Sequence, residues 1–205
     1  MVRRVRAVRL GLLADIHEAI EPLTGAIREL NRRGVERFIV LGDMLDWGEN
    51  ADAVVALLAS LPGEGVWGNH DVGLCGEIDP SVRSRYPSAV LEYFARLRPR
   101  IELEGCRFQH IDPHLDPEKY EDLWRFPTLE ERLAGLDRCP HRRVFVGHQH
   151  TWGIFTPQGP IAWEGTGPFR YRAAERYLTV VHAVREGWCA LYDSERDELE
   201  PVAIG

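Results

Sequence analysis

Lysine is almost absent: Lys119 stands alone, and arginine supplies every other positive side chain. Against 25 Lys and Arg stand 32 Asp and Glu, for a net charge of −7. That balance excludes a broad basic surface for nucleic acid or an anionic membrane. No apolar run approaches the roughly 18 residues that span a bilayer. The basic N-terminus lacks a long apolar segment and soon meets Asp15, so it does not read as a signal peptide. The four cysteines, Cys75, Cys106, Cys139 and Cys189, form no Cys-x-x-Cys pair. They are expected as free thiols in a reducing cytosol, which makes the protein cytoplasmic. A Walker A loop and a Gly-x-Ser-x-Gly elbow are both missing. Gly63–Gly68 fits Gly-x-Gly-x-x-Gly in letters, but it overlaps a strand where a dinucleotide site needs a strand-to-helix turn.

The chain is long enough to bury a core without staples, and 44% hydrophobic content suits a globular protein. With no linker, repeat or low-complexity segment, residues 1–205 read as one domain. Strands are expected at Val8–Ala14, Phe38–Leu41 and Val66–Trp67. Helices at Pro22–Arg33 and from Asn50 to about Ser60 separate them, giving a β-α-β-α-β start with parallel strands. A helix over Ser88–Leu97, a hairpin of Ile101–Leu103 with Cys106–Gln109, and helices near Pro117–Arg125 and Leu129–Leu136 follow. Thr128 and Glu131 form a capping box for the last of these. Strands at Val144–Val146, Trp152–Thr156, Ile161–Glu164, Leu178–Arg185 and Trp188–Tyr192 complete an α/β chain with two sheets.

Eight histidines are present, and most cluster. The polar groups come in order as Asp15-x-His17, Gly42-Asp43, Gly68-Asn69-His70-Asp71, His110 and Gly147-His148-Gln149-His150. Each ends an apolar stretch read as a strand, and strand carboxyl ends open onto the binding crevice of such sheets. Carboxylate, imidazole and amide together suit borderline divalent metals, Mn, Fe or Zn, better than Ca or Mg. The set is too large for one tetrahedral ion and fits two ions sharing a carboxylate. His148 and His150 face one side if the strand persists through them. Asp71 could serve an Asx turn or helix cap as readily as a catalytic role. His114 competes with His110, which is preferred because it ends an apolar strand. His141 reads as surface and His182 as core or sheet face.

These motifs, Asp-x-His, Gly-Asp, Gly-Asn-His-Asp and Gly-His-x-His in this order, resemble the calcineurin-like metallophosphoesterase superfamily over residues 10–151. The likeness is nearest to its small single-domain prokaryotic phosphodiesterase branch. It implies a four-layer α/β/β/α sandwich of two mixed β-sheets flanked by helices, the C-terminal strands serving the second sheet. It implies two divalent ions, Mn foremost with Fe, Zn, Ni or Co as alternatives. Asp15, His17 and His150 would hold one; Asn69, His110 and His148 the other; Asp43 would bridge them. A bridging hydroxide would attack phosphorus in line. His70 would contact the phosphate, as would Asn69, or protonate the leaving oxygen, with Asp71 orienting His70.

The implied activity is phosphodiester hydrolysis of a small or nucleotide-like substrate. Alternatives are a phosphomonoesterase or protein phosphatase, and an inactive interaction scaffold. Gly42-Asp43-Met44-Leu45-Asp46-Trp47-Gly48 resembles the phosphoprotein phosphatase motif Gly-Asp-x-x-Asp-Arg-Gly, with Trp47 in place of arginine and Asp71 in place of the usual glutamate. Both departures argue against a protein phosphatase. Trp47 is a candidate stacking surface or a loop-packing residue. Arg170 or Arg172, after Gly165-Thr166-Gly167, could reach a second phosphate. A small phosphoester is the partner expected, with no membrane and no strong nucleic-acid signal.

Overall fold

The computed structural model describes residues 7–76, 78 and 80–205. Chain order begins β1 (Arg9–Leu13), α1 (Ile20–Arg32), β2 (Arg37–Leu41), α2 (Ala51–Ala59) and β3 (Gly63–Val66). It continues with α3 (Pro80–Arg83), α4 (Ser88–Phe94), the hairpin β4 (Arg100–Leu103) and β5 (Cys106–Gln109), α5 (Tyr120–Leu123), α6 (Leu129–Arg138) and β6 (Arg143–Val146). Then come β7 (Gly153–Thr156), β8 (Gly159–Pro160), β9 (Phe169–Arg170), β10 (Tyr177–Val180), β11 (Trp188–Asp193) and β12 (Glu198–Ala203). Among the described residues no helix is long and apolar enough to cross a membrane.

Two six-stranded mixed sheets form, ordered β3-β2-β1-β11-β12-β9 and β4-β5-β6-β10-β7-β8. β1, β2 and β3 run parallel, as the alternating strands and helices require. Three apolar layers account for the stacking. Helices α1, α2 and α4 bury Leu23, Leu30, Val54, Leu58 and Phe94 against one face of the first sheet. Leu10, Leu12, Ile39, Phe108 and Phe145 fill the space between the sheets. Leu136 of α6 packs on Val144, Val146, Leu178 and Val180 on the outer face of the second sheet. The result is the four-layer α/β/β/α sandwich.

The C-terminal part departs from expectation. β11 pairs antiparallel with β1 and carries β12 with it, so part of the C-terminal chain completes the first sheet. The strand expected at Ile161–Glu164 is not formed; Gly159–Pro160 pairs with β7, and that pairing ends with the Ile161 N–H donating to the Ile154 carbonyl at 2.8 Å. The strand expected to run to Arg185 ends at Val180, and Val184–Glu186 is a 3₁₀ turn. Thr128 and Glu131 form the capping box in both directions.

Candidate metal centre

The ends of β1, β2 and β3 in one sheet meet the ends of β5 and β6 in the other. Hydrogen bonds between the sheets fix that meeting. The His148 N–H donates to both Asp15 carboxylate oxygens at 3.0 Å, while within the second sheet the Gly147 N–H donates to the His110 carbonyl at 3.1 Å. Glycine is required where these turns crowd. A Cβ on Gly68 would lie 2.1 Å from Asp43 Oδ1, and one on Gly147 would lie 2.9 Å from Asp15 Oδ2. The backbone is bent hard at the side chains themselves. Asp15, His17, Asp43, His148 and His150 all have positive φ, from 46° to 72°. Such left-handed non-glycine residues are uncommon and cluster at functional sites.

Three groups of ligand atoms result, each within 4.8 Å: Asp15, His17 and His150; His17, Asp43 and His70; and Asp43, His110 and His148. Asp43 lies 3.7 Å from His17 Nε2 and 3.3 Å from His110 Nε2, so it stands between the two sides. Asn69 Oδ1 is 3.0 Å from His110 Nε2. Asp15, His17, Asp43, Asn69, His110 and His148 are buried, while His150 and His70 are half-buried. His148 and His150 reach the centre although β6 ends at Val146, because their left-handed backbone turns them inward.

Several features fit metal ions here. His148 Nε2 is buried with no hydrogen-bond partner, and two imidazole nitrogens, His17 Nε2 and His150 Nε2, face each other at 3.1 Å. His110 Nδ1 donates to the Leu41 carbonyl at 2.7 Å, and His150 Nδ1 faces Glu186 at 3.2 Å. Those outer partners turn each Nε2 toward the centre, as they do for metal-ligating histidines. The donor set of carboxylate, imidazole and amide suits a borderline divalent ion.

The charges are strongly coupled. Burial opposes ionisation of Asp43, but His110 overrides it and holds the carboxyl well below its usual range. Burial likewise opposes the His110 cation, and Asp43 overrides that to push it up to about 9. Burial and then His110 depress His148 to about 4.

Other sequence expectations change. Asp71 does not orient His70. Its carboxylate accepts the N–H groups of Met44 (3.0 Å), Leu45 (3.2 Å) and Gly68 (2.9 Å), tying the loops after β2 and β3 together. Burial, then the nearby Asp43 charge, push Asp71 up to about 7. The carboxylate facing His70 Nδ1 is Asp46, at 3.8 Å. Trp47 does not pack under its loop: it is 85% exposed, while Glu18 accepts its N–H and those of Gly48 and Asn50.

Arg170 is far from the centre. It pairs with Glu198, which lies in register with Asp193 and Arg9, at the start of β1 and the opposite end of the sheet. Arg172 lies at that end too, its carbonyl accepting from Arg143 at the start of β6. The cation near the centre is Arg185, whose N–H donates to the Asp15 carbonyl and whose guanidinium lies 3.9 Å from Asp46. Asp46, Arg185 and Glu186 went unread because their roles depend on tertiary placement. The one available signal for Asp46 was its spacing after Asp43. His114 lies apart from the metal groups, against Gly135 of α6.

The family model described as the calcineurin-like phosphoesterase superfamily domain matches residues 8–163. An uncharacterized protein of Methanocaldococcus jannaschii is 24% identical over 169 residues, covering 74% of this chain and 66% of that protein. The chain thus spans just under two thirds of that relative's length. A metallophosphoesterase from Sphaerobacter thermophilus has a similar structure, with TM-score 0.79 at 18% identity over 98% of this chain and 89% of its own. A novel archaeal phosphodiesterase is similar with TM-score 0.56 at 14% identity, covering 95% and 99%. At such identities the structural likeness speaks for the fold.

Proposed function

Since the chain belongs to the calcineurin-like phosphoesterase superfamily, we propose that it is a phosphodiesterase using two divalent ions, with Mn²⁺ the first choice, on a small or nucleotide-like phosphoester. The observation that carries this reading is the position of Asp43, shared between a group with His17 and one with His110 and His148. A shared carboxylate flanked by separate donor sets is what two neighbouring ions need. Asp15, His17 and His150 would hold one ion and Asn69, His110 and His148 the other. When bound, the ions would supply Lewis acidity to the phosphoryl group and lower the pKa of attacking water.

The remaining work falls to the chain itself. His70 is held at the centre by its own N–H, which donates to Asp43 Oδ1 at 2.9 Å. Its half-buried ring can meet a phosphoryl oxygen or give a proton to the leaving oxygen. Asp46 lies on the Nδ1 side of that ring, 3.8 Å away, where it can orient the imidazole. Arg185 adds positive charge at the same mouth, and Trp47 offers an open aromatic face in place of a second phosphate-binding cation. That balance favours a diester over a phosphoprotein. Four buried free cysteines suit a reducing compartment, which supports a cytoplasmic location.

Metal-stripped protein reloaded with Mn²⁺ should cleave bis(p-nitrophenyl) phosphate faster than p-nitrophenyl phosphate. His70→Ala should lower kcat by roughly 10²- to 10⁴-fold. A faster monoester rate would make the protein a phosphomonoesterase. Metal binding without turnover under Mn, Fe, Zn, Ni or Co would leave only the scaffold reading.

A further inference from the structure

Large apolar side chains stand exposed at Trp47, Tyr120, Trp124, Phe126 and Leu129 among the described residues. Two of these rings contact imidazoles of the centre. Trp124 is 46% exposed, and its ring centroid is 5.6 Å from that of His70, with the planes tilted by 50°. Phe126 is 68% exposed and stacks on His148 at 4.4 Å, with 20° between the planes. The segment between α5 and α6 therefore borders the centre on both sides, one ring by the proposed proton donor and one by a proposed ligand.

This border is mounted on fixed structure. Leu123, next to Trp124, is fully buried with Ile111 and Leu115, and Trp67 packs against them. Trp67 Nε1 donates to the Pro117 carbonyl at 3.0 Å. Arg125, between the two rings, is held by Glu131 at 2.8 Å. Rings anchored this way present their faces without further ordering, which lowers the entropic cost of binding. Their partner must be flat and apolar, yet attached to an anion that the centre can hold. Planar rings satisfy both conditions, because stacking accepts any base or aryl face.

We propose that Trp124 and Phe126 form an aromatic platform for the planar ring of a nucleoside or aryl group esterified to the bound phosphate. This rests on the phosphoesterase reading of the centre and adds the substrate class. Trp124 takes the ring nearest His70. Phe126 braces His148 on one face and leaves the other toward solvent.

The test is equilibrium binding by titration calorimetry on Mn²⁺-loaded protein. Adenosine 5′-monophosphate, ribose 5-phosphate and inorganic phosphate are compared, the first two differing only in the base. The base should tighten binding by roughly 5- to 150-fold. Trp124→Ala and Phe126→Ala should each cut that ratio several-fold, and the double variant should bring it to about one. Trp124→Phe should keep most of it, with melting curves confirming that each variant is folded. Equal affinity for the two sugar phosphates in the unmodified protein, or an unchanged ratio in the double variant, overturns the platform. Diester hydrolysis is measured separately. Base-dependent binding without hydrolysis refutes the phosphodiesterase reading and leaves the platform standing, whereas no binding of any of the three ligands refutes both.

Discussion

Replacing Asp71 separates two roles that its sequence position alone could not. A residue that merely oriented His70 could be lost with little effect on folding. In the structure Asp71 is fully buried and takes N–H groups from Met44, Leu45 and Gly68. Those donors would be left unsatisfied in Asp71→Ala, and each buried orphan costs about 1–3 kcal/mol. The variant should lose roughly 3 kcal/mol or more by urea denaturation and also bind Mn²⁺ more weakly. Its loops carry Asp43 and Asn69, so they would no longer be held in register. Asp46→Asn should do the reverse, keeping the stability and lowering kcat, because Asp46 is only half-buried and faces His70 and Arg185. Equal stability of Asp71→Ala and the unmodified protein would show that the loops do not depend on this carboxylate.

At the level of elements, legibility followed how locally each feature is determined. β1 and β2 were readable because buried parallel strands are continuous apolar runs, and α6 because Thr128 and Glu131 carry a local start signal. β9 and β12 were missed because Phe169–Arg170 is only a short edge and Glu198–Ala203 contains Pro201 among polar residues; each is a strand through its neighbour. The motif residues could be placed at one centre because strand ends converge there. Trp124, Phe126 and Arg185 could not, since a place in an expected helix, connection or strand end does not say which distant side chain the residue will meet.

His114 belongs to this scale, since it serves the seat of α6. A Cβ on Gly135 would come within 2.5 Å of its ring, and neither ring nitrogen has a hydrogen-bond partner. Burial lowers its pKa. The unfolded chain protonates this histidine near pH 6.5, while the folded chain resists until lower pH. Between those values the unfolded state binds more protons, so the contribution of His114 to stability falls as pH drops below about 6.5. Urea denaturation of metal-free protein from pH 7.5 to 5.5 should therefore show His114→Leu gaining stability relative to the unmodified protein as the pH falls. His114→Leu should also retain Mn²⁺. Parallel pH profiles, or loss of metal in the variant, would contradict this placement.

For the molecule as a whole, the candidate centre is also a joint between two sheets. Asp15 and Asp43 follow strands of the first sheet, and Asn69 lies just beyond its third; His110, His148 and His150 follow strands of the second. The apolar layer from Leu10 to Phe145 already holds the sheets together, so folding need not await the ions. Ions bound across the joint would nevertheless tie the sheets at their functional end, and any ligand selective for the folded state adds stability by mass action. At about one hundred times the dissociation constant that gain is about 2.7 kcal/mol. For a chain of this length it corresponds to a rise in Tm of roughly 5–10 °C. Chelated protein should therefore melt lower than Mn²⁺-loaded protein by about that much. Asp43→Asn, which weakens the shared position, should lose most of the metal-dependent rise. A Tm indifferent to Mn²⁺ at saturating concentration would mean that the ions do not bridge the sheets. Retention of the full rise by Asp43→Asn would place the bound ion away from the shared carboxylate.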